Sequence, residues 1–283
     1  MGIDKSRPVL ITGCSTGIGR ATAERLAEDG WNVYATARRP ESIEDLSKHG
    51  CKTLVLDVTN DRSMSRAVKE TEKDGPIGAL VNNAGYSQSG AIETLPMDSV
   101  RRQFETNVFG LMRMCQLVLP DMREAGSGRI VNISSMGGKL TFPGGGVYHA
   151  TKHAVEALSD ALRFEVAGFG IQVVVIEPGL IVTEFGETAS ASIAEIDHGP
   201  YAKFNADVAR VTSAAYTGPM ARFGAGPEAV AAKISRALTS RRPGTRYKVT
   251  PSASIVIGMR RVMSDRMWDR FVRSQYPRPK PEA

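Results

Sequence analysis

The chain has 283 residues, 42% hydrophobic and 23% charged, a balance that excludes collagen-like and disordered polymers and suits one large α/β domain or two small ones. The net charge of +6 is mild, no apolar run is long enough for a membrane span, and the opening residues lack a signal-peptide core, so neither a spanning segment nor secretion is expected. Three cysteines (Cys14, Cys51, Cys115) and four scattered histidines show no paired or metal-ligand spacing, so a reducing, cytoplasmic setting and no metal are expected.

Apolar runs alternate with amphipathic stretches, the mark of a βαβ series. Val9-Leu10-Ile11 reads as the first strand, and Thr12-Gly13-Cys14-Ser15-Thr16-Gly17-Ile18-Gly19 leads from it into a helix over 18–28. Glycine there lets backbone approach a pyrophosphate, and a helix N-terminus offers unpaired N–H groups. Three glycines are a weak signal alone, and their place between a strand and a helix strengthens it. Val33-Tyr34-Ala35 reads as the second strand and runs on to Thr36-Ala37-Arg38-Arg39. A dinucleotide fold often carries an acid at this tip to hold the adenosine ribose hydroxyls, and this chain has none. An acid would repel a 2′-phosphate whereas arginine pairs with it bidentately, so NADP(H) is expected over NAD(H), with Arg38 the main contact and Arg39 solvated.

Leu54-Val55-Leu56 reads as the third strand, followed by Asp57 and Val58, with Asp57 offered to the adenine amino group. A helix over 63–72 leads to the fourth strand, Ala79-Leu80-Val81, which ends in Asn82-Asn83-Ala84-Gly85. A long helix over 97–123 carries Asn107. The fifth strand, 129–133, ends in Ser134-Ser135, and Tyr148 and Lys152 open a helix over 147–167. The sixth strand, 172–176, precedes Pro178-Gly179-Leu180-Ile181-Val182-Thr183. A helix over 228–240 and a short strand at Tyr247-Lys248-Val249 complete the series. The strands lack clean alternation, which suits burial on both faces of a parallel sheet, and right-handed crossovers place helices on both sides. The expectation is an α/β, single-domain Rossmann fold over 1–283, a doubly wound parallel sheet of about seven strands.

Residues 184–226 break the rhythm and read as a substrate lid. Phe185, Ile193, Ile196, Tyr201, Phe204, Val208, Val211, Tyr216, Met220 and Phe223 either line an apolar pocket or form the core of two lid helices. The extension over 250–283 is basic, with Arg260, Arg261, Arg266, Arg270, Arg273 and Arg278 beside Ile255, Val256, Ile257, Met259, Val262 and Met263. It reads as a capping helix or a subunit interface, with an amphipathic face for peripheral membrane contact as the third reading. Nucleic-acid binding is not expected.

Asn83 and Ser135 fall at the carboxyl ends of strands, where ligands bind in open α/β sheets. Ser135 precedes Tyr148 by thirteen residues, and Tyr148 precedes Lys152 by four, which puts both on one helix face. Together with the glycine loop, the Asn82-Asn83-Ala84-Gly85 turn and Asn107, this set resembles the short-chain dehydrogenase/reductase family over roughly residues 7–183. The resemblance implies Tyr148 as catalytic acid/base, with Lys152 holding the nicotinamide ribose and lowering the phenol pKa. It implies Ser135 as the group that polarises the carbonyl and Asn107 as the holder of a proton-relay water. It further implies a cofactor set of Gly13, Ser15, Thr16, Gly17, Ile18, Gly19, Arg38, Asp57, Val58, Asn83, Ala84, Gly85, Tyr148 and Lys152, with Pro178, Gly179, Ile181 and Thr183 at the carboxamide.

The chemistry of the residues agrees with those roles. A free phenol titrates near about 10, and a nearby ammonium with a cationic nicotinamide is expected to lower it. The Ser135 hydroxyl can donate to the oxygen where charge develops. Each residue alone has a plainer reading as helix-start packing, surface lysine, turn hydroxyl or mid-helix amide, and the combination favours chemistry.

The glycine loop with Thr16, the arginine-tipped second strand and the tail are similar to NADP-preferring hydroxysteroid and retinol dehydrogenases, and relatives of this kind are commonly homodimers or homotetramers. The expected activity is NADP(H)-dependent interconversion of a secondary alcohol and a ketone or aldehyde, on a hydrophobic steroid-, retinoid- or lipid-like substrate. Two rivals stand beside it. A non-catalytic NADP sensor has little need of the four site residues, and a sugar-nucleotide epimerase or dehydratase usually has another glycine spacing and a larger C-terminal domain.

Overall fold

Val9-Leu10-Ile11 is buried completely because it forms the middle of a sheet covered on both faces. The structure, a computed structural model, describes residues 3–194, 199–276 and 278. Its strands are β1 (Val9–Ile11), β2 (Val33–Ala37), β3 (Lys52–Val55), β4 (Ala79–Asn82), β5 (Gly128–Ile133), β6 (Ile171–Glu177) and β7 (Arg246–Lys248). They form one parallel sheet in the order β3-β2-β1-β4-β5-β6-β7. The inner strands β1, β2, β4 and β5 are buried throughout, while the edges β3 and β7 are half-exposed. Continuous apolar runs in the sequence thus mark strands with neighbours and helices on every side.

The helices are α1 (Gly17–Glu28), α2 (Asp61–Thr71), α3 (Met97–Phe104), α4 (Leu111–Glu124), α5 (Gly146–Glu165), α6 (Glu184–Ala194), α7 (Ala202–Thr217), α8 (Pro227–Thr239), α9 (Pro251–Val262) and α10 (Asp265–Gln275). On one face Ala23 and Leu26 of α1 and Val230 and Ile234 of α8 pack with Ile11, Val33, Val131 and Val174. On the other, Met64, Met114, Val118 and Val155 pack with Leu10, Leu80, Ile130 and Val173. Adjacent strand residues supply opposite cores, as the two-residue period of a strand requires. Each Val, Leu, Ile or Met among these contributes about 1.5–3 kcal/mol on burial.

The chain order reverses direction across the sheet between β1 and β4, and a crevice opens there at the carboxyl ends of the strands. The third strand begins at Lys52, two residues earlier than its apolar run indicates, because Lys52 and Thr53 take the edge pairing to Tyr34 and Ala35. The long helix over 97–123 is interrupted, since a π turn at Glu105–Gly110 joins α3 to α4. Such turns insert an extra residue into the ladder and are frequent at functional sites. Residues 184–226 hold α6, α7 and a short 3-10 turn at Pro219–Phe223. Ile196, residues 277 and 279–283, and the side chain of Met220 lie outside what the structure describes.

The extension folds back on the body. Trp268 of α10 is buried, lies 5.7 Å from the Phe142 ring and donates Nε1–H to the Thr141 carbonyl at 3.4 Å. Among the described residues no helix is long and apolar enough to cross a membrane.

Candidate active site

The turn after β1 is built for close backbone approach. Gly13 has φ +74, and a Cβ on it would come within 2.9 Å of the Ala84 Cα. Thr12 Oγ1 accepts from both the Asn83 and Ala84 N–H groups at 3.0 Å, and Asn83 Nδ2 donates to the Thr12 and Gly13 carbonyls at 3.0 and 2.9 Å. The loops after β1 and β4 are therefore locked together under the crevice. Thr16 precedes α1 without capping it by its side chain, and the first turn carries no acid. The N–H groups and positive dipole end there are left for an anion.

A cavity of about 910 Å³ runs from this turn along the strand ends. Its wall includes Gly13, Ser15, Thr16, Gly17, Ile18, Arg38, Asp57, Val58, Asn83, Ala84 and Gly85 at one end, and Ser135, Tyr148, Lys152, Pro178, Gly179, Ile181 and Thr183 further along. Two expected site residues stand off that wall. Gly19 lies beneath it, where a Cβ would be driven into the Gly13 carbonyl and to 2.5 Å from Asn83 Nδ2. Asn107, 1% exposed in the π turn, donates Nδ2–H to the Tyr86 carbonyl and Thr151 Oγ1 at 2.9 and 3.1 Å, and its Oδ1 accepts from the Tyr86 N–H at 3.1 Å. Its side chain thus braces the wall behind Lys152.

Arg38 leaves the end of β2 and lines the cavity with no acid at the strand tip, while Arg39 is exposed off the wall. Asp57 also lines it, with Oδ1 accepting from the Thr59 N–H and hydroxyl at 2.9 and 2.8 Å. These features, with the glycine cradle and uncapped α1, fit a nicotinamide dinucleotide.

At the other end Tyr148 sits in the first turn of α5 and Lys152 one turn on, with Nζ 5.7 Å from the Tyr148 ring centroid. Lys152 is 6% exposed and donates to the Ile133 carbonyl at 2.8 Å. Ser135, just past β5, accepts the Gly137 N–H at 3.1 Å and lies near enough to the Tyr148 phenol to pull its pKa down. Burial of the Tyr148 hydroxyl pushes its pKa above the ordinary phenol value, against the downward pull of Ser135, with the nearby Tyr216 adding to the rise. Desolvation is the largest of these influences on the phenol. The same burial brings Lys152 down to about 8, with Glu156 opposing it.

Phe185, Val208 and Tyr216 from the 184–226 stretch line the cavity, whereas Ile193, Tyr201, Phe204, Val211 and Phe223 do not. Phe142, His149 and Tyr276 complete the wall and did not stand out in the sequence. Tyr276 comes 6.1 Å from the Phe142 ring, so the C-terminal extension closes one side of the cavity.

The sequence pattern of the short chain dehydrogenase family matches residues 7–194. Over 249 residues the chain is 37% identical to the 3-ketodihydrosphingosine reductase of Bacteroides thetaiotaomicron, covering 88% of this chain and 89% of that protein. It is 32% identical over 275 residues to the NADPH-dependent 3-dehydrocapnine reductase of Ornithobacterium rhinotracheale, covering 94% and 95%. The closed form of a serine dehydrogenase complexed with NADP+ is similar with a TM-score of 0.74 at 29% identity, over 86% of this chain and 94% of that one. The matched stretch contains the glycine turn, β1 to β6 and the Ser135–Tyr148–Lys152 cluster, so the chain belongs to the short-chain dehydrogenase family, oxidoreductases whose fold binds a nicotinamide cofactor.

Proposed function

We propose that the protein is an NADPH-dependent reductase that converts a ketone on a hydrophobic substrate to a secondary alcohol. The observation that carries this reading is the meeting of Ser135, Tyr148 and Lys152 at one end of a cavity whose other end offers Arg38 and no acid. A phenol raised by burial keeps its proton at neutral pH, which suits a donor in the reducing direction. Two relatives are named as reductases of 3-keto and 3-dehydro compounds, one of them NADPH-dependent.

Bound NADPH supplies the hydride. Ser135, with one lone pair occupied by the Gly137 N–H, turns its own hydrogen to the ketone oxygen. Tyr148 delivers its proton to that same oxygen as negative charge develops there. Lys152, anchored on Ile133, turns its remaining donors to the cofactor ribose and stabilises the phenolate left behind. Asn107 keeps Tyr86 and Thr151 in place beside this relay. Phe142, Phe185, Val208, Tyr216 and Tyr276 supply the apolar side of the substrate space. In this reading the protein is one cytoplasmic domain over 1–283, with α6 and α7 as the lid. It works as a homodimer or homotetramer, for which exposed Phe109 and Phe164 offer apolar surface.

The test is NADPH- and NADH-linked turnover across 3-ketodihydrosphingosine, steroid ketones, retinal, decanal and 2-decanone. Absence of turnover with all of them would speak for the sensor reading instead. Arg38→Asp is expected to weaken NADPH binding about 100-fold and NADH binding less than about threefold, since it replaces a charge-assisted phosphate contact by repulsion. Titration of cofactor fluorescence checks this, and equal losses for both cofactors would remove the NADP assignment.

A further inference from the structure

We infer that His149 is a positioning residue for this reaction, holding Gly137 so that Ser135 presents its hydroxyl hydrogen to the ketone oxygen. The inference rests on the role given above to Ser135 and adds a residue behind it. His149 follows Tyr148 in α5, and one residue along a helix turns the side chain by about 100°. The imidazole therefore leaves the phenol and enters the turn that follows β5, where Nδ1 lies 3.2 Å from the Gly137 carbonyl oxygen. A carbonyl only accepts, so Nδ1 carries the hydrogen and Nε2 of the neutral ring keeps a lone pair. The ring is 9% exposed, and that burial lowers its pKa to about 4, so it stays neutral under working conditions.

Gly137 thus receives the imidazole on its carbonyl and gives its N–H to Ser135 Oγ at 3.1 Å. A hydroxyl has one hydrogen to give, and with a lone pair already taken by the backbone that hydrogen is left to turn toward the Tyr148 phenol or a ketone oxygen beside it. The sequence makes room for this arrangement. A Cβ on Gly137 would overlap Nδ1, and one on Gly145 would come within 2.7 Å of Nε2. Phe142 fixes the ring from a third side, edge-on at 6.3 Å between centroids. A histidine present only to fill space has no need of a bond to the one turn that carries Ser135.

His149→Leu is expected to lower kcat about 30-fold with KM within about threefold, because a displaced oxyanion donor acts on the transition state more than on binding. The assay is NADPH-linked reduction of 3-ketodihydrosphingosine, or of whichever panel ketone the wild-type protein reduces fastest. His149→Asn places an amide N–H near the Nδ1 position and is expected to restore kcat to within about threefold, whereas His149→Gln reaches only the Nε2 position and is not. In a Ser135→Ala background, His149→Leu should cost less than about twofold more, since the two act as one unit. Nitrogen-15 NMR of the protein without substrate should show Nδ1 protonated and Nε2 bare at neutral pH.

An Nε2–H tautomer, rescue by Gln instead of Asn, or equal losses with and without Ser135 would overturn the proposal. If His149→Leu does not fold, the Asn and Gln pair and the tautomer decide the matter. Should Ser135→Ala leave turnover intact, the reading of the site itself fails. A drop for Ser135→Ala with none for His149→Leu sinks only the role of His149.

Discussion

Tyr148→Phe is expected to reduce NADPH-linked ketone reduction about 10³-fold, the scale on which a positioned general acid acts. The substitution removes only the hydroxyl. The ring keeps its packing against Phe185, 5.4 Å between centroids, and against His149 at 5.7 Å, so the cavity retains its shape. Ser135 still holds the Gly137 N–H. NADPH affinity should therefore stay within about threefold of wild type, since the phosphate end of the cavity is untouched. Steady-state kinetics beside a direct NADPH titration checks both halves. Turnover that survives this change would remove the proton-donor role altogether. Intact NADPH binding with no turnover in either protein would mark the sensor, which needs the cofactor cradle and nothing from Tyr148.

Much of this site is legible in the linear sequence because its residues are fixed by local geometry. Gly13 must sit at positive φ under Ala84, and a four-residue gap on a helix must bring Tyr148 and Lys152 to one side. Arg38 is readable for a similar reason, as the residue at the tip of a strand whose apolar run is plain. How strongly burial acts on the Tyr148 phenol was not legible. It depends on how deeply the hydroxyl is enclosed, and Phe185 and Tyr216 arrive at it from elements 37 and 68 residues away in the chain. Tyr276 and Phe142 meet across nearly half the chain, which no local pattern announces. Apolar residues over 184–226 show that faces are buried without saying against what, so Phe204 and Tyr216 read alike in sequence and only Tyr216 reaches the cavity. Asn107 stands out in the sequence, but its bonds to Tyr86 and Thr151 depend on the π turn, a one-residue insertion that helix periodicity does not reveal.

Lys152→Met is expected to abolish most activity and at the same time to raise thermal stability near neutral pH. The activity loss, about 10²-fold or more, follows from removing the cation that stabilises the phenolate. The gain in stability follows from burial. Lys152 titrates at about 8 in the folded protein, against an ordinary value of 10.5. Below pH 8 both folded and unfolded chains carry the proton, and the fold bears the whole penalty of a buried ammonium, about 3 kcal/mol. Between pH 8 and 10.5 the unfolded chain binds the proton more than the folded one does, so stability rises with pH through that window and the penalty fades. Met removes the charge at similar volume while leaving the Ile133 carbonyl without its donor, which returns about 1 kcal/mol of the gain. A net advantage of roughly 1–2 kcal/mol at pH 7 that shrinks toward pH 10 is therefore expected from thermal unfolding at the two pH values. In the wild-type protein, reduction should also decline as pH rises through about 8, where Lys152 loses its charge. A Met variant less stable than wild type at pH 7, or an advantage that does not change with pH, would mean that the ammonium is solvated in the cavity and is not a strained element of the fold. Wild-type stability spent on a buried cation beside Tyr148 is the expected signature of a residue kept for chemistry.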